Sequence, residues 1–205
     1  MTENNRSVFK EKKHIAIFAS GMGSNAQKII DYFSIATSPE SDNLIEVVLI
    51  VCNNTDAGVL KIAEKENIPS IIIQRRKFYD DGYLPELKNF PIDLIVLAGF
   101  MWKVPPLLIQ AYQHKIINIH PALLPKFGGK GMYGNFVHEA VLKAKVKESG
   151  ITIHFVDEIY DNGKIILQAK CKVEENDTLQ SLIQKIHGLE HTHYASVIEK
   201  ILLTQ

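Results

Sequence analysis

Long apolar runs are missing from this chain. The longest uncharged one, Leu94 to Trp102, has nine residues, far short of the roughly 20 that a membrane-crossing helix needs. The start, Met1 to Lys13, is polar and charged and holds no apolar signal core. A surplus of either charge is lacking too, since 23 Lys and Arg stand against 23 Asp and Glu. That removes the overall basic footprint of a nucleic-acid binder, while a local patch can still grip a phosphate. Cysteine is scarce: Cys52 and Cys171 form neither a CxxC pair nor a zinc-like cluster. Both sit in apolar runs, as buried reduced thiols do. The expectation is a cytoplasmic protein with no membrane and no nucleic-acid partner.

What is present is enough apolar material for one substantial core, 46% of 205 residues. Residues 1–13 read as a disordered lead-in and 14–205 as a single domain. Strand and helix patterns then alternate. Strands are expected over His14–Ala19, Ile45–Cys52, Ser70–Gln74, Leu94–Ala98 (central, from its apolarity) and Lys115–Ile119. Helices are expected over Ser24–Phe33, Ala57–Glu66, Asp80–Lys88 and Pro105–Tyr112, with a loop at Ser34–Asn43. Ser24 reads as an N-cap, with Gln27 its capping-box partner. His120–Gly134, rich in glycine and proline, reads as a long loop, and Phe136–Ala144 as a helix. Ile151–Val156 and Ile165–Val173 form a hairpin across Asp161-Asn162-Gly163, an antiparallel addition. Apolar spacing predicts a last helix over Thr178–Leu203, capped by Asp177 or Thr178. The fold class is α/β, a mainly parallel twisted sheet with helices on both faces. Ligands bind such sheets at the carboxyl ends of the strands.

Three segments fall at such ends. Ser20-Gly21-Met22-Gly23-Ser24-Asn25 joins the first strand to the first helix. Its glycines let backbone approach an anion, which the free amides of the helix start attract. It lacks the lysine of a P-loop and the third glycine of a dinucleotide fingerprint. The alternative is a tight turn with a helix cap. Asn118-Ile119-His120-Pro121-Ala122-Leu123-Leu124-Pro125 ends the fifth strand. Residues two apart share a face, so Asn118 and His120 point together. An amide can hold an oxyanion, and an imidazole can carry a proton near neutral pH. A lone histidine at a strand end is usually structural; the Asn-x-His pairing before a proline-bounded loop argues for chemistry. His154 to Gly163 is an acidic turn. A carboxylate from it can orient His120 and raise its pKa, or else simply face solvent.

His187-Gly188-Leu189-Glu190-His191 matches the H-x-x-E-H pattern of some zinc peptidases. Only fourteen residues follow, Glu199 is the sole acid among them, and Gly188 weakens a rigid metal helix. No metal is expected.

Taken together, Gly21-Met22-Gly23-Ser24-Asn25, Leu97-Ala98-Gly99-Phe100-Met101, the Asn118–Pro125 segment and the segment ending in Asp161 resemble the phosphoribosylglycinamide formyltransferase family of folate-dependent formyltransferases. The resemblance covers roughly residues 14–200 and implies a Rossmann-like formyltransferase fold. It implies transfer of a formyl group from 10-formyltetrahydrofolate, as co-substrate, to the amine of 5-phosphoribosylglycinamide in purine (IMP) biosynthesis. In family terms Asn118 and His120 stabilise the tetrahedral oxyanion, His120 carries the proton and Asp161 holds His120 charged. Gly23, Ser24 and Asn25 take the ribose phosphate, and Glu190 contacts the substrate. Met101, Trp102, Lys103 and Val104, with Asn118 and Asp157 to Asp161, form the folate pocket. Two departures stand out. Trp102, followed by Lys103, occupies the place where the family commonly has arginine, and the loop Lys126–Gly134 is unusual. A monomer or a homodimer fits equally.

Other readings are a related formyltransferase or formyl-folate hydrolase of the same fold, and a non-catalytic nucleotide-binding module. The formyl-transfer enzyme for initiator Met-tRNA adds a C-terminal domain and the deformylating hydrolase an N-terminal one. Neither addition is expected here.

Overall fold

Apolar residues along the first strand alternate between two cores. The computed structural model describes residues 11–35 and 44–204. Most of the expected lead-in, residues 1–10, lies outside them, as does most of the expected Ser34–Asn43 loop, residues 36–43. Strand β1 (Lys13–Ala19) sends Ile15, Ile17 and Ala19 to one face and Ala16 and Phe18 to the other. All five are buried, as expected of a strand covered on both sides.

The other elements follow as α1 (Ser24–Ile35), β2 (Ile45–Cys52), α2 (Gly58–Lys65), β3 (Ser70–Ile72), α3 (Arg75–Asp81), α4 (Leu84–Leu87), β4 (Leu94–Leu97) and α5 (Pro106–Ala111). Then come β5 (Ile116–His120), α6 (Asn135–Lys143), β6 (Glu148–Phe155), β7 (Ile165–Lys172) and α7 (Leu179–Leu203). The strands make one sheet in the order β3-β2-β1-β4-β5-β6-β7. Pairs β2–β3, β1–β2, β1–β4 and β4–β5 are parallel; β5–β6 and β6–β7 are antiparallel. The expected mainly parallel sheet with an antiparallel addition is therefore present. β4 is the middle strand, and its four residues are all buried. Residues of α1, α2, α6 and α7 cover one face; residues of α3, α4 and α5 cover the other. Each fully buried Ile or Leu is worth about 1.5–3 kcal/mol.

Several boundaries differ from expectation, each for a local reason. The helix expected over Asp80–Lys88 is two short helices. Gly82 and Tyr83 between them have φ of 65° and 54°, left-handed values that cannot continue a right-handed helix. Ser24 is the first helical residue rather than the cap. Gly23 precedes it, its carbonyl accepting the Gln27 N–H at 2.8 Å. The Gln27 side chain donates to Asp31 at 2.8 Å, not back to Ser24. The hairpin is not closed by a tight Asn-Gly turn, because residues 156–164 form a long loop between β6 and β7. Its left-handed residue is Asp161, with φ of 53°. Strand β1 begins at Lys13, inside the expected lead-in. Cys52 is buried but Cys171 only partly so. Thr178 caps α7 as expected, in a reciprocal pair with Ser181. No helix among the described residues is long and apolar enough to cross a membrane.

Candidate active site

The strand order reverses between β1 and β4, and a crevice opens at their carboxyl ends because the following chains leave in opposite directions. The two loops there are tied together. Ser20 N–H donates to the Gly99 carbonyl at 3.1 Å, and Met101 N–H donates to Ser20 Oγ at 2.8 Å. Gly23 has φ of 82°, and a Cβ on it would meet Val59 and Ile62 at 2.9 Å. Only glycine lets the loop both turn there and lie against α2. The cleft holds about 630 Å³, within the roughly 300–1,000 Å³ range of small-molecule sites.

Every residue singled out from the sequence lines this one cleft: Gly23, Ser24, Asn25, Met101, Trp102, Lys103, Val104, Asn118, His120, Asp157, Asp161 and Glu190. Their states differ. Val104 is buried and Met101 half exposed. Asp157 is engaged within its own loop, accepting from Ile159 N–H at 2.8 Å and Asn162 Nδ2 at 3.2 Å.

The carboxyl end of β5 carries the densest chemistry. His120 is 3% exposed. Its Nε2 donates to the Phe127 carbonyl at 2.8 Å, and its Nδ1 lies 3.6 Å from Asp161 Oδ2. Asp161 Oδ2 also accepts the Gly129 N–H at 2.8 Å. Burial pushes the Asp161 pKa up, but the neighbouring His154 ring, the His120 charge and the Gly129 amide together leave it below the usual carboxylate value. For His120 the balance is reversed. Burial pushes its pKa down, and Asp161 and the Phe127 carbonyl only partly offset this. The expectation of a raised His120 pKa is therefore corrected, because desolvation of the imidazolium outweighs one nearby carboxylate.

His154 lies between Asn118 and Asp161. Its Nδ1 faces the Phe155 carbonyl at 2.8 Å, and a carbonyl only accepts, so that nitrogen carries the proton. Nε2 then accepts from Asn118 Nδ2 at 3.2 Å, with Asp161 Oδ1 3.7 Å away. No role for His154 is legible in its neighbours along the chain. The signal was its place in the antiparallel register, where His154 pairs with Asn118. The loop after His120 is fixed from beneath. Thr152 Oγ1 donates to the Ala122 carbonyl at 2.7 Å and accepts Leu124 N–H at 3.0 Å. The Lys126–Gly134 loop thus supplies backbone partners to both His120 and Asp161. Gly128 permits the approach, since a Cβ there would lie 3.2 Å from the Asp161 Cβ.

In the same cleft Glu190, 6% exposed, accepts from Asn25 Nδ2 at 3.0 Å. Burial raises its pKa, against the pull of the Asn25 amide and His187. His138 and His187 line the same region; nothing in the sequence spacing marks His138. The His187 and His191 rings stack with centroids 6.0 Å apart. Among the described residues no group of three or more His, Cys, Asp or Glu is arranged to hold a metal ion.

Comparison with known proteins places this site in context. The family model described as formyl transferase matches residues 13–198. The chloroplastic phosphoribosylglycinamide formyltransferase of Arabidopsis thaliana is 41% identical over 93% of this chain, which spans only 65% of that relative's length. The phosphoribosylglycinamide formyltransferase of Bacillus subtilis is 39% identical, over 93% of this chain and 95% of its own. The crystal structure of glycinamide ribonucleotide transformylase 1 from Geobacillus kaustophilus superposes with a TM-score of 0.83 at 36% identity, covering 94% of this chain and 100% of that one. With the sheet, the cleft and these likenesses in agreement, this chain belongs to the formyl transferase family.

Proposed function

We propose that this chain transfers the formyl group of 10-formyltetrahydrofolate to the amine of 5-phosphoribosylglycinamide, a step of purine biosynthesis. The observation that carries the reading is the convergence of Asn118, His120 and Asp161 in a cleft that also holds the bonded pair Asn25 and Glu190. The same proteins that resemble the chain are named for this reaction.

The residues divide the work by chemistry. The amine nitrogen bonds to the formyl carbon, and the carbonyl electron pair moves to oxygen. Asn118 has two amide N–H groups and gives one to His154, leaving the other for the oxyanion. Burial favours the neutral form of His120, which can accept the proton the amine must lose. Once it is protonated, Asp161 at 3.6 Å stabilises the imidazolium. As the oxyanion collapses, the carbon–nitrogen bond to the folate breaks and that nitrogen takes the proton back, so the transfer is proton-neutral overall. Holding both substrates together contributes the remaining acceleration by proximity.

Binding roles follow position. Gly23, Ser24 and Asn25 open α1, whose first amides lack helical partners and suit a phosphate. Glu190 faces the same end and suits the amine or ribose. Met101, Trp102, Lys103, Val104, Asp157 and Asp161 surround the end assigned to the folate. The protein acts on small molecules in the cytoplasm, as a monomer or homodimer, without a metal. Assay of folate-dependent formylation of 5-phosphoribosylglycinamide tests the reading. Product is expected with wild type; formate release without an acceptor would instead indicate a hydrolase, and no reaction with the acceptor would overturn the assignment.

A further inference from the structure

His138 is a buried imidazole that the mechanism above does not use. It stands on α6 in the cleft wall, 4% exposed, and its Nδ1 is buried with no hydrogen-bond partner. A neutral imidazole has one N–H and one bare nitrogen. With the unpartnered Nδ1 as the bare nitrogen, Nε2 carries the proton. The ring therefore offers the cleft one uncharged donor. Burial, then the charges of His187 and His120, hold its pKa at about 4, so near neutrality it has no charge with which to attract a phosphate. Helix α6 packs against α7, the helix that carries His187 and Glu190. Glu190 is in turn bonded to Asn25. His138 thus belongs to the end of the cleft assigned to the phosphorylated amine.

We propose that His138 binds that substrate, its Nε2–H donating to an uncharged hydroxyl or carbonyl oxygen near Asn25, Glu190 and His187. The proposal rests on the substrate reading above. A purely structural histidine makes the opposite demand on stability. Replacing a buried polar group that has no partner by an apolar one of similar size is neutral or stabilising, whereas removing a structural bond is not.

The experiment compares wild type, His138→Leu and His138→Asn by thermal melting and by calorimetric binding of 5-phosphoribosylglycinamide. For His138→Leu an unchanged or higher Tm is expected, with affinity down about tenfold, the loss of one hydrogen bond. His138→Asn, which keeps an N–H donor, is expected to recover part of that loss. Ribose 5-phosphate as a second probe locates the oxygen: weakened binding of both ligands points to a sugar hydroxyl, weakened binding of the full substrate alone to the amide carbonyl, and either supports the proposal. Unchanged affinity in His138→Leu, or a lowered Tm with no recovery in His138→Asn, overturns it while leaving the substrate reading intact. A wild type that does not bind the substrate overturns both.

Discussion

Nδ1 of His120 lies 3.6 Å from Oδ2 of Asp161, and both side chains are almost enclosed. The pair sets two opposing influences on one imidazole: burial disfavours its charge, and the carboxylate favours it. Asp161→Asn keeps the shape and removes the charge. With that support gone the His120 pKa is expected to fall further, so the acid limb of the kcat/KM profile moves to lower pH. Turnover is expected to drop about 100-fold, within the usual range for acid–base groups. A pH–rate profile checks this, and a limb that stays in place or moves upward would reject the coupling.

His120→Asn removes the proton carrier itself. Activity is expected to fall about 1,000-fold with circular dichroism and melting little changed. Near-wild-type turnover would reject the role proposed for the imidazole.

Gly128→Ala probes the loop that serves both members of the pair. The new Cβ would lie 2.4 Å from Leu124 Cδ2 and 3.2 Å from Asp161 Cβ. Either the buried Leu124 side chain moves aside or the backbone shifts, and a backbone shift carries the Phe127 carbonyl and the Gly129 N–H with it. Turnover is expected to fall about 10- to 100-fold, as misplacements of reacting groups do. Steady-state kinetics measure it, and an unaltered kcat would show that Leu124 yields and the loop keeps its place.

Glu190→Gln preserves the bond from Asn25 in kind but removes a carboxylate whose ionisation burial opposes. Stability is expected to hold or rise, while KM for the amine substrate increases about tenfold, the loss of one hydrogen bond to a charged group. KM for the folate is expected to stay the same. Equal changes in both KM values would contradict the division of the cleft.

Acid stability gives a check that needs no substrate. His138 takes up its proton only at about 4 in the folded protein, while in the unfolded chain it does so near the ordinary value of about 6.5. Between those values the unfolded chain binds more protons, so stability falls as pH falls. The depressed His120 adds to the same trend. Melting temperature is expected to decline from about pH 6.5 toward about pH 4 and to decline less in His138→Leu. Parallel curves for the two proteins would contradict it.

Continuous apolar runs and helical spacing carried most elements, because burial on both faces forces apolar residues at every strand position, as in Leu94–Leu97. Where backbone conformation decided, spacing was silent. The break at Gly82-Tyr83 and the left-handed Asp161 depend on φ values, which side-chain periodicity does not encode. The Ser24 capping box failed because the helix begins at Ser24 itself, leaving the Gln27 side chain to bond Asp31 one turn on.

By itself the sequence determined the sheet, the direction of its strands and the list of polar residues placed at their carboxyl ends, since these follow from local pattern and from how parallel strands connect. Only the tertiary structure decided which of those residues meet. His154 reaches Asn118 through antiparallel pairing, and Phe127 and Gly129 reach the His120–Asp161 pair through loop packing. Packing of one face of α6 buries His138 and leaves its Nδ1 without a partner. Desolvation decided the sign of the His120 shift, because burial depends on every element that covers a group and is not a property of its neighbours in the chain.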